Sequence, residues 1–450
     1  MNNRKWLFQE MELWQRDGII GAETRALLEK HYAVDASAVS WRQIVLCSLG
    51  ALLVGLGVIA LLAANWDVLS RPVRSAIALL PLTLCVGAYL LGLRKGWASQ
   101  GFLEPLGIFW GLSIGAGLSI ITQTYHISGD VEMFALMWTL LLLPTLYATR
   151  SVSVGVGYFV GLLVWVSIGY DYSSNRMVYW PLACLAVPFI VSLRKEFPGS
   201  LRAGIVTWGA ALCLTAALGL TLEKTIPGLW TIIYSGVFAS LLLGGILCEP
   251  RNVSIWQTPM RTLGGCGLAV LLYLLTFAWP WEEIGWYHRR YHESTHLWAT
   301  LFDSALALLA PVLSVFLLVI AHRRKSDLYG GQGTRHIPFH TLWGVAPLFV
   351  AAAYCIFSSV GESNELFPAY LTTLYLGALG LATIGNGLVN RQVIFVNGGV
   401  LIVLGVVLGK FFTSDLSFTA KGIAFILCGC LFFVINMLAA RQMKKAGGAQ

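Results

Sequence analysis

Residues 42–64 read RQIVLCSLGALLVGLGVIALLAA, and the only charge in this stretch is the arginine at its start. About 20 consecutive apolar residues are enough for an α-helix to cross the hydrocarbon core of a bilayer. Similar apolar stretches, separated by short polar segments, follow to the end of the chain. The sequence therefore predicts an all-α polytopic membrane protein.

The apolar stretches can be counted along the chain. We predict about 14 transmembrane helices on the basis of length and hydropathy. The predicted spans are 42–64, 73–93, 102–124, 132–149, 151–169, 177–193, 202–222, 227–248, 261–280, 300–321, 339–359, 367–387, 392–410 and 419–440.

The composition supports this class and argues against others. Hydrophobic residues make up 57% of the 450-residue chain and charged residues 12%, about half of what a soluble domain carries. The net charge of +8 does not indicate nucleic-acid binding, because the basic residues form short clusters between apolar stretches and no basic stripe along a helix. The lipid bilayer is the expected surrounding of most of the chain.

The positions of lysine and arginine predict the orientation. If the N-terminus lies in the cytoplasm, 22 of these residues fall in inner segments and 8 in outer segments. Inner segments of membrane proteins carry the excess of lysine and arginine. We therefore expect a bacterial inner membrane protein with both termini in the cytoplasm.

The ends of the chain lie outside the predicted spans. Residues 1–40 have apolar residues at helical spacing, with Gly18 between two segments, which predicts a short cytoplasmic helical hairpin. Its apolar face can dock on the membrane domain or bind a protein partner. The charges among the first forty residues do not fit a cleavable signal peptide. Residues 41–440 form the predicted transmembrane domain, with a long outer loop at 281–299, and residues 441–450 form a basic cytoplasmic tail.

Small residues recur at four-residue spacing within several spans. Gly111 and Gly115, Gly157 and Gly161, and Gly405 and Gly409 each place two glycines on one helical face. Such faces allow close approach of a neighbouring helix. We expect these pairs to be packing contacts.

Ionisable residues are almost absent from the middles of the predicted spans. Asp303 lies about one turn from the outer end of its span, and Glu104 and His340 lie near inner ends. An ion-coupled carrier usually has charged groups at mid-depth. Their absence disfavours this class of transporter.

Polar side chains gather instead where the first and third spans reach the outer face. Asp67 follows the first span, and Gln123, His126 and Asp130 follow the third. These four residues are a candidate polar site on the periplasmic face. The alternative is that each acid only caps a helix, as Asp130 can do for the fourth span.

The outer loop 281–299 holds a second group of candidates. His288, His292 and His296 share one face if the loop is helical, and are weak candidates for a metal site because no H-E-x-x-H arrangement accompanies them. The favoured alternative is a belt of tryptophan, tyrosine and histidine at the membrane interface. Arg289 and Arg290 are candidate contacts for an anionic ligand or lipid phosphate. We expect no cofactor, since no P-loop or dinucleotide fingerprint occurs in a suitable context.

Several motifs together resemble a known family. They are Trp14 with Gly18-Ile-Ile, Ala64-Asn-Trp-Asp67, Gln123-x-Tyr-His-x-Ser-Gly-Asp130 and Asn397-Gly near the end of the chain. The chain resembles the bacterial predicted membrane proteins grouped as domain of unknown function 2157, most strongly over residues 10–150 and weakly over 385–445. The resemblance implies a membrane protein and carries no established reaction.

The sequence is compatible with three functions. The favoured one is handling or translocation of an amphiphilic or envelope-derived solute, with a lipid or other amphiphile as ligand. The second is a non-catalytic scaffold or sensor that binds a partner through the N-terminal hairpin. The third is a membrane enzyme that uses the outer His/Arg loop. Because no catalytic motif supports it, an enzyme is the less favoured class.

Overall fold

The structure is a computed structural model, and the residues it describes form helices and no β-strand. The described residues are 3–33, 41–64, 70–168, 176–222, 226–250, 253–290, 297–324, 339–360, 366–389, 393–413 and scattered positions between 417 and 437. The predicted all-α class is thereby confirmed for this part of the chain.

The described α-helices have the following bounds. They are α1 (Asn3–Arg16), α2 (Ala22–Ala33), α3 (Trp41–Ala64), α4 (Arg71–Arg94), α5 (Gln100–Tyr125), α6 (Val131–Thr149), α7 (Val152–Ile168), α8 (Tyr179–Cys184), α9 (Val187–Glu196), α10 (Leu201–Thr221), α11 (Leu229–Cys248), α12 (Pro259–Leu274), α13 (Trp279–Arg290), α14 (Leu297–Arg323), α15 (Phe339–Val360), α16 (Leu366–Val389) and α17 (Val393–Thr413).

Ten helical segments among the described residues are long and apolar enough to cross a membrane, or eleven if α12 and the start of α13 form one bent span. Each of the ten overlaps one of the predicted ranges. Two further predicted spans correspond to the apolar helices α3 and α7, of which α7 has only 17 residues. The last predicted span, 419–440, lies largely outside the described residues.

The chain divides into two compact units, residues 1–161 and residues 162–450, with the boundary inside α7. In the first unit, α3, α4 and α6 all pack against α5. This central position follows from the small residues of α5, which are buried on two sides of the helix: Gly115 faces Trp138 on α6, and Gly117 faces Ala78 on α4.

The pair Gly111 and Gly115 shows how this packing works. A Cβ at Gly115 would lie 2.6 Å from the indole of Trp138 on α6, and the Trp138 Nε1–H donates to the Gly111 carbonyl at 2.8 Å. The predicted small-residue face is confirmed as a packing surface. Its partner is a large side chain that occupies the space left by the two glycines.

In the second unit, α11 packs against α12, α14 and α15, and α15 and α17 pack against α16. Its buried core includes Trp281, Trp343 and Phe357. Two tyrosines packed in or against this core donate to backbone carbonyls: the Tyr375 hydroxyl donates to the Leu342 carbonyl at 2.8 Å, and the Tyr354 hydroxyl donates to the Pro227 carbonyl at 2.8 Å. Such bonds are expected where no water reaches.

The predicted continuous span 261–280 differs from the structure. Helix α12 ends at Leu274, α13 begins at Trp279, and the two axes are bent by 75°. Pro280 explains the break, because it has no N–H to donate to the Thr276 carbonyl four residues earlier. Helix α13 also occupies the first part of the predicted outer loop 281–299, and Trp281 within it is fully buried.

At the N-terminus, α1 and α2 are joined through Gly18, whose φ of +70° is in the left-handed region. The Ile19 N–H donates to the Trp14 carbonyl at 2.8 Å, and the Arg25 guanidinium donates to the Gln15 side chain at 2.7 Å. Glycine ends a helix in this conformation without steric cost. The predicted cytoplasmic hairpin arrangement of residues 1–40 stays a prediction.

We predict that substitution by alanine changes the melting temperature differently at two glycines of the first unit. Gly115→Ala lowers the melting temperature, because the new Cβ displaces Trp138 and breaks its bond to Gly111. Gly157→Ala on α7 leaves it unchanged or raises it, since the site is open and alanine favours a helix by about 0.5–1 kcal/mol. Thermal unfolding of the purified protein in detergent measures both, and equal shifts would contradict the packing described.

Candidate functional site

Two buried glutamates are the first acids to consider as functional groups. Glu104 on α5 is 5% exposed, and its carboxylate accepts from the Ser151 hydroxyl (3.0 Å), the Val152 N–H (3.0 Å) and the Ser153 N–H (2.7 Å). The last two are amides of the first turn of α7, which have no partner within that helix. Glu104 is therefore a cap for another helix and stabilises the α5–α7 contact.

Glu249 likewise caps the N-terminus of another helix, in the second unit. It follows α11, is 5% exposed, and accepts from the Met260 N–H (2.9 Å) and the Arg261 N–H (3.0 Å) at the start of α12. The Arg194 guanidinium on α9 also donates to this carboxylate at 2.9 Å. A negative charge at a helix N-terminus is favourable, and the pairing with Arg194 lowers the cost of burying it.

Among the described residues, the other buried acid and the buried histidine also lie near helix ends. Asp303 is 2% exposed and is the seventh residue of α14, while His340 is fully buried and is the second residue of α15. This placement agrees with the predicted shortage of charged groups at mid-span. Among the described residues, it gives no series of charges along which an ion could pass.

The structure describes three of the four residues predicted for the periplasmic polar site. Gln123, His126 and Asp130 are exposed at one end of the first unit, and Asp67 lies outside the described residues. Helix α5 ends at Tyr125 because His126 adopts φ +51°, and Asp130 occupies the position before α6 without a capping bond from its side chain. The convergence of the four side chains stays a prediction.

The same end of the unit holds a direct link between two helices. The Ser75 hydroxyl on α4 and the Tyr125 hydroxyl at the end of α5 lie 3.0 Å apart, within hydrogen-bonding distance. This contact, together with Gln123, His126 and Asp130, forms what we call the polar rim. Sequence reasoning identified three of these residues and missed the Ser75–Tyr125 bond, which joins residues fifty positions apart.

The side chains of the candidates in the predicted outer loop lie outside the described residues. His288, Arg289 and Arg290 are in the backbone of α13, but their side chains are outside the described residues, as are His292 and His296 entirely. Among the side chains that the structure describes, no three His, Cys, Asp or Glu residues are close enough to hold a metal ion. The anionic-ligand and metal hypotheses for this loop stay untested.

The first unit contains an apolar cavity of about 370 Å³ between α4, α5 and α6. Its floor is one face of α5, and its walls come from α4 and α6. The lining residues are Leu82, Trp110, Ile114, Gly117, Leu118, Ile121, Leu141, Pro144 and Thr145. The volume is in the range of known small-molecule sites.

The spacing of the floor residues sets the length and direction of the cavity. Trp110, Ile114, Leu118 and Ile121 lie three or four residues apart on α5, so the cavity extends about 16 Å along this helix. Ile121 is one turn from Tyr125, which belongs to the polar rim. On α6, Leu141 is 46% exposed, so the wall of the cavity reaches the surface of the unit.

The lining of the apolar cavity favours one chemical class of ligand. The lining contains no charged side chain and only one hydroxyl, that of Thr145, so it favours hydrocarbon over polar solutes. The polar rim lies beyond one end of it. The sequence did not reveal the cavity, because it is formed by three helices whose individual patterns are all typical of membrane spans.

We predict that the Glu249 cap stabilises the second unit. Glu249→Gln removes the charge that holds Arg194 and two helix amides, and we expect a loss of about 1–3 kcal/mol in unfolding free energy. Glu282→Gln is the control, because Glu282 is exposed on α13. Denaturant unfolding in mixed micelles measures both, and similar losses would contradict the capping role.

Comparison with known proteins finds a family similar to most of the first unit. Residues 12–155, about a third of the chain, match the family model described as predicted membrane protein (DUF2157). The matched segment holds both the Glu104 cap and the entire lining of the apolar cavity. No curated protein and no solved structure matches the chain. Residues 12–155 are thus similar to the family of predicted membrane proteins of unknown function 2157, and the resemblance seen in the sequence motifs is confirmed over that range.

Proposed function

We propose that the protein binds the hydrocarbon chain of an amphiphile in the cavity between α4, α5 and α6, as part of handling or translocating a lipid or envelope-derived solute. The observation that carries the proposal is an apolar cavity of about 370 Å³ whose lining includes one hydroxyl and no charge. Each CH₂ group removed from water contributes about 0.8 kcal/mol. A single extended hydrocarbon chain fits along the floor, whose length from Trp110 to Ile121 is about 16 Å.

The polar rim determines the proposed orientation of the bound amphiphile. A hydrocarbon chain along α5 would have its end near Ile121 within one helical turn of Tyr125, where Gln123, His126 and Asp130 are exposed. An amphiphile satisfies both regions at once. We place the head group at the rim, and propose that Asp67 completes the rim from the end of the first span.

The proposed orientation comes from the charge distribution. We propose a bacterial inner membrane protein with fourteen helices, the hairpin 1–40 and the tail 441–450 in the cytoplasm, and the polar rim on the periplasmic face. The ratio of 22 to 8 basic residues supports this placement. In this arrangement Arg289 and Arg290 are on the periplasmic side, where they can contact lipid phosphates.

The binding prediction uses substitutions that fill the cavity. Ile114→Trp and Leu118→Trp each reduce binding of a fluorescent long-chain fatty acid to the purified protein by at least tenfold, because the indole occupies the space of the chain. Leu84→Trp is the control: Leu84 is 60% exposed on α4 and does not line the cavity. A third variant, Trp110→Ala, enlarges the cavity and keeps binding.

Three results would contradict the binding proposal. The first is equal binding by Leu84→Trp and Ile114→Trp, and the second is loss of binding in Trp110→Ala with unchanged melting temperature. The third is absence of saturable binding to the wild-type protein. Size-exclusion profiles and melting temperatures of each variant separate occlusion of the cavity from loss of the fold, since overpacking a core costs about 1–3 kcal/mol.

The topology prediction is tested with reporter fusions. Fusions at residues 172, 288 and 363 are expected to be active as periplasmic reporters, and fusions at 196, 328 and 445 as cytoplasmic reporters. Each site lies in a predicted connecting segment, at the end of a predicted span or in the C-terminal tail. A cytoplasmic signal at 288 would contradict the fourteen-helix arrangement.

A further inference from the structure

The break between α12 and α13 leaves backbone carbonyls that need partners. Pro280 has no N–H, so the Thr276 carbonyl lacks the helical donor it would otherwise have. The break lies in an apolar part of the second unit, where Leu275 is fully buried and Thr276 is 1% exposed. An unpaired carbonyl in such a place is unfavourable, because it has lost its water without gaining a protein donor.

Two side chains outside α12 donate hydrogen bonds to the carbonyls at this break. The Trp281 Nε1–H donates to the Leu275 carbonyl at 3.0 Å, and the Lys410 ammonium on α17 donates to the Thr276 carbonyl at 2.5 Å. Lys410 is 134 residues away in sequence. A positive charge at this point is favourable, because the C-terminal end of a helix carries partial negative charge.

Aromatic rings complete the surroundings of the ammonium. Its nitrogen lies 5.3 Å from the ring centroid of Tyr370 and 6.0 Å from that of Phe277. Ring faces at this distance attract cations. Among the described residues, the contacts of Lys410 are thus one carbonyl and two rings, with no carboxylate.

A glycine allows α17 to reach the break. A Cβ at Gly409 would lie 2.8 Å from the Tyr273 hydroxyl and 3.0 Å from the ring of Phe277, so a larger residue would push α17 away. The Gly405 and Gly409 pair predicted as a packing face thus positions the neighbouring Lys410. Carbonyl, rings and close helix approach form one site, which we call the ammonium cage.

We propose that the ammonium cage is a cation-binding site for primary ammonium groups, and that Lys410 is its tethered ligand. The carbonyl orphaned by Pro280 provides the acceptor for one N–H, and the two ring faces provide the electrostatic attraction for the charge. The site recognises an ammonium group by these features, so it also takes a small free primary amine when the lysine side chain is removed. This inference is independent of the amphiphile cavity, which lies in the other unit.

The test combines removal of the ligand, its replacement and removal of the site. Lys410→Ala lowers the melting temperature of the full-length protein in detergent, and millimolar propylammonium restores part of the loss. Tetramethylammonium, which has the charge but no N–H to donate, restores less. In the double variant Lys410→Ala/Pro280→Ala, the new amide at residue 280 pairs with the Thr276 carbonyl, so propylammonium no longer has an effect.

The control for the substitution is Lys95→Ala. The Lys95 ammonium lies 4.7 Å from the ring centroid of Trp97, so this variant loses a cation–ring contact without an orphaned carbonyl. Propylammonium is expected to leave its melting temperature unchanged. If Lys410→Ala does not fold, Lys410→Arg and Lys410→Met serve instead, and the arginine variant is expected to be the more stable.

Several outcomes overturn the proposal. They are a melting temperature of Lys410→Ala equal to that of Lys95→Ala, equal effects of propylammonium and tetramethylammonium, and an effect of propylammonium that persists when Pro280 is replaced. Equal stability of the arginine and methionine variants also overturns it.

Discussion

The constraint on which this structure depends is that backbone N–H and C=O groups need partners where lipid replaces water. Inside a helix the chain satisfies them itself, but each helix end leaves groups over, and the bilayer core offers no solvent to bind them. In this protein long side chains from neighbouring helices supply the partners. Glu104 and Glu249 accept from helix N-termini, and Trp281 and Lys410 donate to a broken helix.

This constraint changes how the charged residues are interpreted. An acid inside a predicted membrane span is by default a functional candidate, since burying a charge is costly. Glu104, inside the predicted span 102–124, and Glu249, directly after the predicted span 227–248, have a different explanation. Each carboxylate is held by two consecutive amides of another helix and by one further donor. These carboxylates are engaged in holding helices together, and the cavity between α4, α5 and α6 has no charged group in its lining.

Features that depend on one helix at a time could be predicted from the sequence. Hydropathy located the membrane spans, and the spacing of Gly111 and Gly115 predicted a packing face. The partner of that face, Trp138, could not be predicted, because it lies on another helix. Hydropathy also missed the break after Leu274, since Leu275, Phe277 and Ala278 are as apolar as the helix before them; Pro280 was the local signal.

The candidate site follows the same rule. Gln123, His126 and Asp130 stand out in the sequence as polar residues at the end of an apolar stretch, and the structure shows them exposed at one end of the first unit. The cavity below them involves residues from three helices, each of which is ordinary in a membrane span. Nothing in the pattern of Leu82, Ile114 or Leu141 distinguishes it from other apolar positions.

Native mass spectrometry of the full-length protein, released from lipid nanodiscs, detects a retained amphiphile by its mass. We expect one bound amphiphile per chain that survives mild activation and is absent from Ile114→Trp under the same conditions. A chain that emerges without retained amphiphile, or an Ile114→Trp variant that retains it at the wild-type level, would contradict the assignment of the α4–α6 cavity as a binding site.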